Sequence, residues 1–205
     1  MSLEEYFSGR GAERLLRSLS ECLHSVGTEG FNTSFLKLTE HVVKADQCMV
    51  FSYRADRPEC YLSFNRRQSK NAANLAAKYL RSAYREDPVV KYLDKVQTVN
   101  EMRILRLSDL RAEMPEHYYQ TFFRASGIVD KIVVIVGTKE EALALNFYRF
   151  TESGAFTVSD ESLQIPFWQI VSKIALLHYT GKKAAQLRSP LNSLSKREKT
   201  FANPC

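Results

Sequence analysis

The chain has 205 residues, 44% of them hydrophobic, and a formal net charge of +6, which provides for one sizeable core and excludes disorder throughout. No run reaches the roughly 18 to 20 consecutive apolar residues of a spanning helix, and the acidic start Met1-Ser2-Leu3-Glu4-Glu5 is unlike a signal peptide, so a cytoplasmic protein without membrane contact is expected. The charge is uneven: after Gly181, the cations Lys182, Lys183, Arg188, Lys196, Arg197 and Lys199 stand against Glu198 alone, which leaves the preceding body nearly neutral.

Two amphipathic helices open the chain. The first carries Leu15, Leu16, Leu19, Leu23 and Val26 at helical spacing, the second Phe35, Leu36, Leu38 and Val42-Val43, with Gly27 and Gly30 between them. Gln47 to Tyr53 alternates as a strand, turns at Arg54 to Pro58, and returns as Cys60 to Phe64, a hairpin. Residues 71 to 85 are helical in composition and end before Asp87-Pro88, and Arg103 to Leu107 is a short strand. Pro115 to Ala125 is a helix with Pro115 in its first turn and Gly127 placed to end it. Ile132 to Val136 is apolar at every position, as expected of a strand covered on both faces, and Leu143 to Phe150 runs back beside it. The last helix has Thr157 or Ser159 as its cap, Asp160 and Glu161 at its positive end, and Leu163, Phe167, Ile170, Val171, Ile174 and Leu177 as its stripe, with Pro166 kinking or offsetting it early.

This order predicts an α+β fold, an antiparallel sheet with helices on both faces in an α-β-α sandwich. Residues 181–193 read as a basic, Ser- and Pro-containing linker. Ser195 and Glu198 form a capping-box pattern that announces a helix, but Asn203-Pro204-Cys205 follows closely. The expected organisation is therefore a domain over 1–180, the linker, and a remnant of a further domain over 194–205.

Catalytic and metal chemistry leave no trace in the pattern. Cys22, Cys48, Cys60 and Cys205 have no paired spacing, and His24, His41, His117 and His178 are scattered. No nucleophile elbow or phosphate-cradling glycine loop is present. The expectation is a non-enzyme that uses no cofactor and no metal.

Several phrases in succession resemble the sensory half of LuxR-type bacterial transcription regulators. They are Ser126-Gly127-Ile128-Val129-Asp130-Lys131-Ile132, Leu145-Asn146-Phe147-Tyr148-Arg149, Phe156-Thr157-Val158-Ser159-Asp160-Glu161, and His178. The phrase Leu194-Ser195-Lys196-Arg197-Glu198 resembles the opening of the helix-turn-helix in that family. The resemblance implies a GAF/PAS-like sensor with a small-molecule effector, working as a homodimer. It implies contact with DNA only through a helix-turn-helix of which this sequence holds the start. An alternative is an inhibitor that pairs with a full-length relative in a heterodimer.

Asp87-Pro88-Val89-Val90 is similar to the Asp-Pro phrase of acyl-homoserine-lactone-binding members, where the carboxylate accepts a hydrogen bond from the lactone amide. Those members carry a tryptophan thirteen residues earlier and a tyrosine nine earlier; here the positions hold Asn74 and Lys78. Tyr79 or Tyr84 would substitute in a shifted register, and Asp87 also reads as a turn or cap residue. Strand alternation groups Met49, Phe51 and Tyr53, groups Tyr61 with Ser63, and groups Asn146 with Tyr148. The candidate ligand-binding set is therefore Phe51, Tyr53, Tyr61, Tyr79, Asp87, Asn146 and Tyr148. These residues serve equally as an aromatic core, and alternation alone leaves open which face points inward.

Overall fold

A computed structural model describes residues 10–54, 57–66, 70–93, 95–96, 101–157 and 165–187. Helices α1 (Arg10–His24) and α2 (Phe31–Glu40) precede the hairpin β1 (Gln47–Arg54) and β2 (Arg57–Asn65). Helix α3 (Lys70–Arg81), a tight turn over Ala83–Glu86 and the single turn α4 (Val90–Leu93) follow. Strand β3 (Met102–Arg106), α5 (Leu107–Arg111) and α6 (Glu116–Tyr119) lead to the hairpin β4 (Ile128–Gly137) and β5 (Ala142–Phe150), and α7 (Ile165–Leu187) comes last.

The five strands form one sheet in the order β2-β1-β5-β4-β3, with every neighbouring pair antiparallel. Ile132, Val134 and Val136 of β4 join Val50, Leu145 and Phe147 on one face, packed against Phe31, Phe35 and Leu38 of α2 and Trp168, Val171 and Ile174 of α7. Val133 and Ile135 point the other way, to Met49, Phe51, Tyr79, Leu110 and Tyr118. The fold is the expected α-β-α sandwich, and the unbroken apolar run in β4 follows from its burial on both faces.

Two irregularities change which residues share a face. A bulge between Val50 and Phe51 pairs Val50 with Leu62 but Phe51 with Cys60. Tyr61, the extra residue, turns to the α7 side, where its ring stacks on Tyr179 at 4.9 Å and its hydroxyl donates to Glu141 Oε1 at 3.0 Å. Tyr61 therefore does not share a face with Ser63, which pairs with Met49, because a bulge resets the period of two. A second bulge pairs Ile128 with Phe150 but Asp130 with Arg149. It leaves Val129 exposed and brings Ile128 and Lys131, three apart, to the same side.

The helices also depart from their expected stripes. Leu16 and Leu23 of α1, and Ile170 and Leu177 of α7, are exposed. The buried line of α7 runs instead through Trp168, Val171, Ala175, His178 and Tyr179. Pro166 is the second described residue of α7. Residues 158–164, with Ser159, Asp160, Glu161 and Leu163 among them, lie between Thr157 and α7 and outside the described residues, so the expected cap falls there. At its far end α7 continues through Gly181 to Leu187, since the helix formers Lys182 to Leu187 outweigh one glycine. The expected remnant over 194–205 lies outside the described residues.

His178 ties α7 to the front of the chain. Its ring stacks on Phe31 with centroids 3.7 Å apart, and Nδ1 accepts the Gly27 amide at 2.9 Å. Gly27 has φ +80°, a left-handed backbone that favours glycine.

Among the described glycines, Gly137 marks the tightest backbone approach. A Cβ there would lie 2.6 Å from the Val96 carbonyl oxygen and 3.0 Å from that of Glu141, whereas one at Gly30 would meet only Thr28 Oγ1 at 3.7 Å. Gly137→Ala should therefore lower stability by about 1–3 kcal/mol, and Gly30→Ala should change it by less than about 1 kcal/mol. Urea unfolding measures both, and an unchanged midpoint for Gly137→Ala would contradict the packing of the β4–β5 turn.

Candidate functional site

Between the sheet and the layer of α3 and α6 lies a cavity of about 110 Å³, room for several water-sized groups. Its sheet wall comes from Met49 and Phe51 of β1, Ile128 and Lys131 of β4, and Tyr148 and Phe150 of β5. Leu75, Ala76 and Tyr79 of α3 close the opposite side. Tyr118 lies on α6, and Phe122 and Phe123 follow in a wide turn over Gln120–Arg124 in which the Ala125 amide donates to the Gln120 carbonyl at 2.9 Å. The widened turn, a recurrent feature of functional sites, brings two consecutive phenylalanines to one wall. Gln47, Asn65 and Ser126 add polar atoms at the rim, with Asn65 Nδ2 donating to Gln47 Oε1 at 3.0 Å.

The polar end is organised by Asp87, which is 5% exposed. Pro88 favours the extended backbone that Asp87 adopts, at ψ 118°. Its Oδ1 accepts the Val89 amide at 3.0 Å, the local turn contact expected of an aspartate before a proline. Its Oδ2 accepts the Tyr79 hydroxyl at 3.1 Å and faces Lys131 Nζ at 3.7 Å. The charge of Asp87 also acts on the Tyr118 hydroxyl and helps hold it protonated. Since the Tyr79 proton goes to Asp87, the Tyr53 hydroxyl donates to Tyr79 in its turn. Lys131 Nζ lies 5.8 Å from the Tyr148 ring centroid, within reach of a cation–π contact.

Burial, reinforced by the charge of Asp87, holds the Tyr79, Tyr118 and Tyr148 hydroxyls well above the usual tyrosine value and raises Tyr53 in the same direction. Lys131 moves the other way: burial lowers it, and Asp87 opposes that shift.

Of the sequence candidates, Phe51, Tyr79 and Tyr148 line the cavity directly. Tyr53 and Asp87 stand one hydrogen bond behind the wall. Asn146 is buried on the cavity side of the sheet, but its Nδ2 is turned to the carbonyls of Met49 and Ala144 at 3.4 and 3.0 Å. Tyr61 lies across the sheet and does not belong to the group. Asn74 is exposed, Lys78 Nζ sits 5.9 Å from the Phe122 ring centroid, and Tyr84 lines a separate, more polar groove beside the β4–β5 turn. Of the two tyrosines that would take a shifted register, only Tyr79 reaches the cavity. Lys131, Tyr118, Phe122 and Ser126 were not singled out by residue type; the one available signal was a lysine leading directly into a strand otherwise buried on both faces.

No protein-family model matches the sequence, and no curated protein matches it significantly. Among solved structures, the LBD domain of VqsR from Pseudomonas aeruginosa superposes with a TM-score of 0.62 at 15% identity, covering 82% of this chain and 99% of that one. CepR2 from Burkholderia cenocepacia, described as an N-acylhomoserine lactone dependent LuxR family transcription factor, gives 0.59 at 14% identity over 84% and 99%. SdiA of Escherichia coli gives 0.52 at 14% identity over 93% and 76%. At these identities the likeness is one of fold.

The buried tyrosines make stability sensitive to alkaline pH. Unfolding returns them to an ordinary value of about 10, so their contribution is complete below that pH and is lost as pH rises toward their elevated folded values. Lys131 has the opposite sign, because its cation is disfavoured in the folded state and rising pH relieves that cost. One lysine stands against these four tyrosines and against Tyr179, Cys22, Cys48 and Cys60, which burial raises too, so the urea midpoint should fall as pH rises above about 9. It should fall less steeply in Tyr79→Phe, and a midpoint unaffected by pH there would contradict the burial described.

Proposed function

We propose that the chain is a ligand-sensing regulatory domain of the LuxR type, in which a small molecule occupies the cavity between the sheet and α3 and α6. The observation that carries this reading is the cavity itself: an aromatic chamber ending in the Lys131–Asp87–Tyr79–Tyr118 cluster. A few convergent polar groups in an otherwise apolar concavity are what a small-molecule site requires. The fold shared with CepR2, a lactone-dependent regulator by its description, supports the same reading. The ligand would be enclosed by side chains of three sheet strands and two helices, so its binding would couple α3 and α6 to the sheet. The chain then acts by binding and not by catalysis.

The phrase Leu194-Ser195-Lys196-Arg197-Glu198 supports coupling of this sensor to a helix-turn-helix module, through which DNA would be reached. Leu16 and Leu23 on α1, and Ile170 and Leu177 on α7, sit seven residues apart on their helices and are exposed. They support pairing through this helical layer, either with a second copy or, for an inhibitor, with a related regulator. Association would bury these apolar side chains.

Two measurements test the reading. Native mass spectrometry of protein purified from its own host should show a retained small molecule, and adding the extracted compound should raise stability by about 2.7 kcal/mol at a hundredfold excess over its dissociation constant. No retained mass and no shift with any extract would overturn the sensor reading. Light scattering should show a dimer that Leu177→Glu weakens by at least about tenfold, and a strict monomer at micromolar concentration would overturn the pairing.

A further inference from the structure

Asp87 stands behind the cavity wall, with both oxygens turned to protein donors. Its Oδ1 accepts the Val89 amide at 3.0 Å and its Oδ2 the Tyr79 hydroxyl at 3.1 Å, with Lys131 Nζ further off at 3.7 Å. The proton of Tyr79 is committed to this carboxylate in turn, so that hydroxyl is not a spare donor.

Lys131 is the opposite case. Its ammonium has three donors and no acceptor, its side chain is 2% exposed, and it lines the cavity. Its carboxylate partner stands at 3.7 Å, beyond the 2.7–2.9 Å of a full charge-assisted hydrogen bond, and the Tyr148 ring supplies only a face contact. Ser126 Oγ, on the same cavity wall, is buried and without a hydrogen-bond partner among the described residues. Lys131 therefore brings unused capacity to the cavity wall that can only donate, whereas the Ser126 hydroxyl can donate or accept.

Charge narrows the class further. Lys131 and Asp87 already balance, so a charged ligand would bring a third, uncompensated charge into a buried site. An ammonium group would also meet Lys131 as a like charge. A carboxylate would satisfy Lys131 but set two anions around one cation. The rest of the wall, with Phe51, Leu75, Phe122, Ile128 and Phe150, suits a hydrocarbon body.

We propose that Lys131 is the ligand-selecting residue of this cavity, and that it takes the carbonyl oxygen of a small, neutral, mostly apolar molecule, with no ligand N–H donated to Asp87. The inference rests on the reading of the cavity as a ligand site. It reverses the role that the Asp-Pro phrase implies: the carboxylate positions protein donors, and the lysine meets the ligand.

Three probes of matched length test it with the full chain: heptan-2-one, heptanoate and heptylamine at neutral pH, by calorimetry. The ketone should bind, and the amine and the carboxylate should bind at least about tenfold more weakly. The double variant Lys131→Met with Asp87→Asn removes both charges together and so avoids a stranded buried carboxylate. It should lose the ketone by at least about tenfold while retaining the wild-type circular dichroism. In the wild type the Lys131 side-chain carbon resonance should shift on adding the ketone, which keeps the test decisive if the variant does not fold. Equal binding of all three probes, ketone binding unchanged in the double variant, or a Lys131 resonance that does not move would overturn the selection by Lys131 and leave the cavity as a ligand site. Failure of every probe to bind the wild type would overturn the cavity reading and this inference with it.

Discussion

The buried carboxylate of Asp87 is the constraint on which the site depends. A charge at this depth is tolerated only when its oxygens are satisfied, and the groups that satisfy it come from separate parts of the chain. Val89 is local, Tyr79 belongs to α3 and Lys131, at 3.7 Å, to strand β4, while the charge of Asp87 also acts on Tyr118 of α6. One residue thus joins the covering helices to the sheet across the width of the cavity. Tyr53 extends the connection to β1 through its hydroxyl contact with Tyr79. Removal of Asp87 would leave Lys131 and the Tyr79 hydroxyl without a common partner, so the cavity's polar end is a single network whose members are not independent.

The two faces of the sheet divide the work. On the α7 side, Trp168, Phe147, Phe31 and Phe35 pack densely around Val134 and Leu145, and His178 fixes α7 to the turn at Gly27. Polar groups there are few and paired locally, as Glu141 is by Ser52 and Tyr61. On the opposite side the same strands meet shorter helical segments, a tight turn and a widened helical turn. Such irregular pieces do not fill the space over the sheet as a long helix would. The cavity beneath α3 and α6 is the consequence, while the α7 side has a groove of about 340 Å³ beside α2, lined by Leu36, Val43, Cys48 and Phe147.

Much of the fold was legible because burial imposes period. The double-sided burial of Ile132 to Val136 is written as an unbroken apolar run, and the hairpins follow from the turn residues between alternating segments. The sequence pattern also grouped Met49, Phe51 and Tyr53 correctly, and Asn146 with Tyr148. It failed at Tyr61, because a bulge shifts one residue without any glycine or proline to mark it. It failed at Leu16, Leu23, Ile170 and Leu177, where hydrophobic residues at helical spacing face outward, since periodicity reports amphipathic order and not which surface covers it. Lys131 was hidden for a different reason. A lysine is ordinarily exposed, and only the bulge at Val129, together with a carboxylate 44 positions earlier in the chain, accounts for its burial.

The central claim is that the cavity beside Lys131 is the place where a small molecule binds. A co-crystal structure of the chain with a bound effector tests this most directly. The account predicts ligand density between the sheet and α3 and α6, with an oxygen atom against Lys131 Nζ and hydrocarbon against Phe51 and Phe122. Density on the opposite face beside Tyr61 and Tyr179, or in the groove beside the β4–β5 turn with this cavity unchanged, would contradict it.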